Sequence, residues 1–205
     1  MSVPATVPYG WVATDVATIA DVVGGGTPDT KVERYWSGGI PWISSADIEG
    51  INSLRIRRRI TEEAVRSSAT NLVPTGAIIV VTRVGLGKVA IVPEALCFSQ
   101  DSQALVFNRE LVDEVYLTYY LKFTVRVFKY IGRGTTISGV TKRQLLELPV
   151  LLPPLAEQHR IVAEIEKHLT RLDAAVAALE HARANLKRYR AAVLKAACEG
   201  RLVPT

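Results

Sequence analysis

Cysteine is nearly missing from this 205-residue chain: only Cys97 and Cys198 are present, in different segments. That scarcity excludes a disulfide framework and points to a reducing cytoplasm as the expected location. Long apolar runs are missing as well. The longest, such as Ala77 to Thr82, fall far short of the roughly 20 residues a membrane span requires. No membrane association is expected. The opening Met1-Ser2-Val3-Pro4 lacks the charged and apolar blocks of a signal peptide. Histidine is confined to His159, His168 and His181, spaced by nine and thirteen residues. Neither spacing sets two ligands on one helical face, so no metal site is expected. The glycines of Gly24-Gly25-Gly26 and Gly85-Leu86-Gly87-Lys88 complete neither a dinucleotide fingerprint nor a P-loop. Leu152-Pro153-Pro154-Leu155 lacks the flanks of an amino-methyltransferase motif, because a leucine neither binds the target amine nor stacks on a base. No nucleophile–base pair and no acidic cluster for a nuclease can be assembled. The chain is expected to be non-catalytic.

What is present is ordinary for a soluble protein, with 48% hydrophobic and 22% charged residues. The length suits one packed domain plus an appendage. Up to about Pro153 the pattern is mixed. Apolar, β-branched runs at Ile40–Ile43, Leu54–Ile60, Ala77–Arg83 and Lys88–Val92 predict strands. Turn residues bound them, at Ser37-Gly38-Gly39, Pro74-Thr75-Gly76 and Gly85-Leu86-Gly87. Thr61 reads as the N-cap of a short helix, with Glu62 and Glu63 in its first turn. Leu117, Tyr120, Leu121, Thr124, Phe128 and Ile131 recur at helical spacing, which predicts a helix over 113–131. Thr141 and Gln144 form a capping box for a further short helix. Residues 1–153 are therefore expected to form an α+β domain.

The tail, residues 154–205, differs. Pro154 sits just ahead of a helix start, and no glycine or proline follows until Gly200. Strong helix formers dominate, predicting one helix from about Ala156 to Cys198. Ile165, Leu172, Leu179, Leu186 and Val193 repeat every seven residues, with Val162, Leu169 and Val176 three positions earlier. This is a coiled-coil heptad seam that calls for a partner helix. Beyond Val176 the companion positions are Arg183 and Arg190, and the apolar stripe shifts to Ala182, Leu186, Tyr189, Val193 and Ala196. A straight helix drifts about 20° per heptad against a strict repeat, so limited supercoiling is expected.

Net charge is +5, which fits a nucleic-acid partner without establishing one. Residues 1–153 hold 16 basic against 14 acidic residues, and residues 154–205 hold 9 against 6. A domain so near neutrality must rely on local placement and base contacts. Between Leu117 and Leu146 the charged residues are Lys122, Arg126, Lys129, Arg133, Lys142 and Arg143, interleaved with Tyr119, Tyr120, Phe123, Phe128 and Tyr130. The glycine- and hydroxyl-rich stretch 132–139 offers groups that hold phosphate oxygens. A second cluster is Arg55, Arg57, Arg58 and Arg59.

Several motifs taken in order resemble one family, the specificity (S) subunits of type I restriction–modification systems. They are Gly25-Gly26-Thr27-Pro28, Ile40-Pro41-Trp42-Ile43 with Ser44 and Ser45, and Thr82-Arg83-Val84-Gly85-Leu86-Gly87. Gly134-Thr135-Thr136-Ile137-Ser138 and Leu152-Pro153-Pro154-Leu155-Ala156-Glu157-Gln158-His159-Arg160-Ile161 complete the set. The resemblance implies a target recognition domain that reads one half of a bipartite site in double-stranded DNA, followed by a spacer helix. That helix would also dock the modification (methyltransferase) subunits and, through the complex, the restriction/translocase subunit. Full S subunits resemble two such units in tandem, so a homodimer or a second S half is expected. S-adenosylmethionine, ATP and magnesium are expected on partner subunits, with no cofactor bound by this chain. Arg83, Lys88, Arg133, Thr135, Thr136, Lys142 and Arg143 are the expected DNA contacts. A protein–protein adaptor with a docking helix is the alternative, but it leaves the acid-free block 117–146 without a role.

Overall fold

The computed structural model describes residues 7–131 and 139–202, and the chain divides into compact units at 1–159 and 160–205. In chain order the first unit opens with β1 (Val12–Asp15), α1 (Val16–Ile19), β2 (Ala20–Gly24), β3 (Ile40–Ile43), β4 (Ile48–Gly50), β5 (Ser53–Leu54) and β6 (Arg58–Ile60). It continues with α2 (Glu62–Arg66), β7 (Ile78–Val81), β8 (Val89–Ile91), β9 (Cys97–Phe98) and β10 (Ser102–Phe107). Helices α3 (Glu114–Ile131) and α4 (Lys142–Leu146), strand β11 (Pro149–Leu152) and the start of α5 (Leu155–Cys198) follow. The architecture is α+β.

An antiparallel sheet in the order β2-β10-β7-β8 forms the centre. Strand β7 shows why its apolar run is unbroken. Ile78 and Val80 enter a core shared with Leu117, Leu121 and Val125 of α3, while Ile79 and Val81 enter a second core with Ile43, Leu96 and Phe98. Both faces of the strand are dry, so neither parity carries a polar residue. A smaller sheet, β6-β3-β9, pairs β3 antiparallel with β6 and parallel with β9. Strand β1 pairs with β11. The hydroxyls of Tyr116 and Tyr120 on α3 donate to the carbonyls of Leu151 (2.6 Å) and Pro149 (3.1 Å) on β11.

The expected strand 54–60 is divided. Its start pairs with β4 and its end with β3, because the chain changes sheets between them. At the changeover the Arg55 amide donates to the Asp47 carbonyl at 2.8 Å. The expected helix ends are observed: Thr61 and Thr141 accept from the amides of Ala64 and Gln144, each at 3.2 Å. Helix α5 begins one residue before the expected start and closes in a Schellman arrangement. There Gly200 (φ +67°) donates to Ala197 and Arg201 to Ala196. At 1.5 Å per residue this helix is about 65 Å long.

Three of the sequence motifs turn out to be packing devices. A Cβ on Gly25 would lie 2.2 Å from the Ser99 carbonyl oxygen, and one on Gly26 2.4 Å from the Ala69 carbonyl carbon. Only glycine allows that approach. The Gly26 carbonyl then accepts from the Trp42 indole at 3.0 Å, so the first two motifs are fastened to each other. In the last motif, Gln158 is fully buried. Its Nε2 donates to the carbonyls of Leu111 and Pro153, both at 2.9 Å, and its Oε1 accepts from the Asp113 amide at 2.7 Å. All its principal hydrogen-bonding groups are occupied, which is what makes a buried amide tolerable. Among the described residues no helix is long and apolar enough to cross a membrane.

Candidate nucleic-acid interface

The β7–β8 hairpin ends in a turn whose glycines adopt positive φ, +90° at Gly85 and +98° at Gly87. Its base is fastened from two sides. The amides of Thr82 (2.9 Å) and Arg83 (3.1 Å) and the Thr82 hydroxyl (3.2 Å) all donate to the Asp101 carbonyl. The Val140 amide donates to the Thr82 carbonyl at 2.7 Å. Gly139 (φ +135°) permits this, since a Cβ there would stand 2.2 Å from that carbonyl oxygen. These contacts bring Arg83, Val84, Leu86, Asp101, Gly139, Val140 and Thr141 around one open cleft of about 680 Å³.

The expected contact residues distribute unevenly around it. Arg83 lines the cleft with its side chain exposed. Thr141 lines it too and caps α4, so Lys142 and Arg143 follow at its edge, both exposed. The Arg143 guanidinium hydrogen-bonds Glu147 at 2.7 Å, and that bond together with the carboxylate charge raises its pKa further. Lys88 is not among the cleft-lining residues: its ammonium donates to the Ser45 carbonyl at 2.9 Å. Arg133, Thr135 and Thr136 lie outside the described residues.

Sequence reasoning missed Asp101, an acidic residue lining the cleft with Arg83, because its neighbours in the cleft come from distant segments. It also missed the turn at Ser44–Asp47. Asp47 Oδ2 accepts from the Ser44 amide (2.9 Å) and hydroxyl (2.7 Å), while Oδ1 lies 3.2 Å from the Arg57 Nε. The Ser-x-x-Asp spacing was the available signal.

On α5, the expected pairing residues Leu169, Leu172, Val176, Leu179 and Leu186 have relative exposures from 43% to 71%, while Val162, Ile165 and Val193 are half-buried. Tyr189 of the shifted stripe is 70% exposed. A large apolar side chain left in water forgoes about 1.5–3 kcal/mol of burial, so such a stripe favours association.

Residues 8–187 match the profile of the type I restriction modification DNA specificity domain. The chain is 32% identical over 159 residues to the type I restriction enzyme MjaIX specificity subunit of Methanocaldococcus jannaschii, covering 76% of this chain and 37% of that protein. It is 31% identical over 150 residues to the EcoR124I/EcoR124II specificity subunit of Escherichia coli, covering 70% and 37%. Among solved structures, the HsdS subunit from Thermoanaerobacter tengcongensis superposes with a TM-score of 0.66 at 25% identity, over 97% of this chain and 47% of that one. A chain from a study of complex assembly and conformational transition of the type I R-M system superposes at 0.77 with 24% identity, over 97% and 48%. The chain thus spans less than half the length of these relatives.

Proposed function

The chain belongs to the type I restriction modification DNA specificity family, and from that premise we propose that it reads one half of a bipartite site in double-stranded DNA. The observation that carries this reading is the cleft where Arg83, Asp101 and Thr141 converge. Arg83 with Asp101 suits base edges: arginine matches guanine O6 and N7, and a carboxylate accepts from an exocyclic amine. Lys142 and Arg143 at the edge of α4 suit backbone contacts. We assign methyl transfer from S-adenosylmethionine, ATP-driven cleavage and magnesium binding to separate modification and restriction subunits. The chain's own role is then recognition without catalysis.

The exposed seam of α5 supports pairing with a second copy or a second S half. A homodimer would supply two recognition domains and imply a palindromic bipartite target. The modification subunits would dock on the remaining length of the helix. Selection of bound sites from random duplex DNA, by the full chain together with modification subunits, tests the recognition. A consensus half-site is expected, loosened at one position by Arg83→Ala and at another by Asp101→Ala. Recovery of no consensus from the unaltered chain refutes the proposal.

A further inference from the structure

Arg57 precedes β6 and Arg58 and Arg59 lie in it; with Thr30, Glu33 and Trp36 they line a shallow groove of about 680 Å³. None of these residues lines the cleft around Arg83. Strand β6 is the edge of its sheet, and charge on an edge strand is a common guard against aggregation. That role requires charge alone. It does not require each guanidinium to be seated separately, and here each one is.

Arg57 Nε stands 3.2 Å from Asp47, a carboxylate whose side chain is only 9% exposed and which the Ser44 amide and hydroxyl already hold. The Arg58 guanidinium lies over the Trp36 ring, 5.4 Å from its centroid. Trp36 is set edge-on against the buried Trp42, with centroids 5.2 Å apart and an interplanar angle of 86°. Arg59 Nη1 donates to the Gly39 carbonyl at 2.7 Å. Each guanidinium carries five N–H donors, so one contact apiece leaves most of them for a ligand. Side chains held in place before binding lose less entropy on binding. With Arg57 paired to Asp47, Arg58 and Arg59 still outnumber the one lining carboxylate, Glu33, which favours an anionic ligand. The guanidinium fork matches a phosphodiester in two-point geometry.

We propose that this groove grips the sugar–phosphate backbone of duplex DNA outside the base pairs read at the cleft. Arg58 and Arg59 make the contacts, and Trp36 positions Arg58. The assignment rests on the DNA-reading function proposed above.

The test uses the full chain carrying Arg58→Gln and Arg59→Gln, which leaves the Arg57–Asp47 pair intact. The probe is random-sequence duplex DNA in rising salt, with and without modification subunits. Each lost phosphate contact removes about 0.9 from the slope of log affinity against log salt. The slope should therefore become shallower by about 1.8, with the selected consensus unchanged. Arg58→Lys with Arg59→Lys keeps the charges and should restore the slope. A slope that stays at the unaltered value overturns the assignment, and so does a changed consensus, which would mean the pair reads bases. A slope that remains shallow in the lysine variant also overturns it, since the slope counts phosphates neutralised by charge whatever the geometry of the cation. Weakened binding to the modification subunits with DNA binding intact would assign the groove to a protein surface. Absence of salt-dependent binding by the unaltered chain, by contrast, sinks the proposed function itself.

Discussion

Replacing Gln158 with Leu gives the sharpest test of how the α+β unit is closed. The side chain is fully buried and bonds three backbone groups: the carbonyls of Leu111 and Pro153 and the amide of Asp113. Leucine has similar bulk and removes all three bonds. The Pro153 bond is buried, so its loss should cost close to the full penalty for a dry orphan, about 2 kcal/mol. The other two are part-buried, and water can repair some of the damage. Each should cost about 1 kcal/mol. The apolar replacement recovers about 1 kcal/mol by burying a better hydrophobe. The net loss is about 3 kcal/mol, a large share of the 5–15 kcal/mol typical of a domain. For a unit of this size that lowers the melting temperature by about 10 °C. Urea unfolding followed by tryptophan fluorescence is the suitable assay, because Trp11, Trp36 and Trp42 all lie in this unit. A midpoint shift worth less than about 1 kcal/mol, with the urea dependence unchanged, would refute the idea that these bonds hold the start of α5 to the domain.

Gly26→Ala places a Cβ 2.4 Å from the Ala69 carbonyl carbon and the Thr70 nitrogen. Backbone must move, so a loss of about 3 kcal/mol is expected in the same urea assay, while a neutral result would contradict the close packing. Tyr116 has its pKa pushed up to about 12, mainly by burial and secondarily by the charge of Tyr120. The buried neutral phenol therefore contributes stability that is intact below pH about 10 and lost as pH rises towards 12. Tyr116→Phe should lose about 1 kcal/mol at neutral pH with the Leu151 bond, and should flatten that alkaline loss. Identical alkaline unfolding in the two proteins would count against it. Leu172→Glu with Leu179→Glu puts charge at two seam positions that are 58% and 71% exposed. Sedimentation should show a monomer where the unaltered chain dimerises, with the tryptophan-monitored midpoint unmoved. An unaltered chain that is monomeric at high concentration would remove the pairing proposal.

Much of the fold depended on neighbours along the chain and was readable from them. The long helix follows from the 45 residues, Leu155 through Glu199, that contain no glycine or proline, and its seam follows from the seven-residue repeat. Thr61, Thr141 and Gly200 act within a turn of their own positions, so the ends of α2, α4 and α5 were legible. The unbroken apolar run of β7 likewise predicted a strand, and the structure shows both its faces buried. What the chain alone left open was every feature that needs a partner far away. The run 54–60 looked continuous, yet its two ends belong to different sheets. Lys88, expected as a DNA contact beside a glycine turn, donates to the Ser45 carbonyl 43 residues away while the residue stays exposed. Asp101 joins Arg83 and Thr141 only because the sheet delivers three distant segments to one cleft. Period and capping are properties of consecutive residues, whereas a binding surface depends on which remote groups the packed core brings within hydrogen-bonding distance. The sequence by itself thus determined the long helix and the caps of α2 and α4, and tertiary structure decided which charges are paired within the fold and which stand open to solvent.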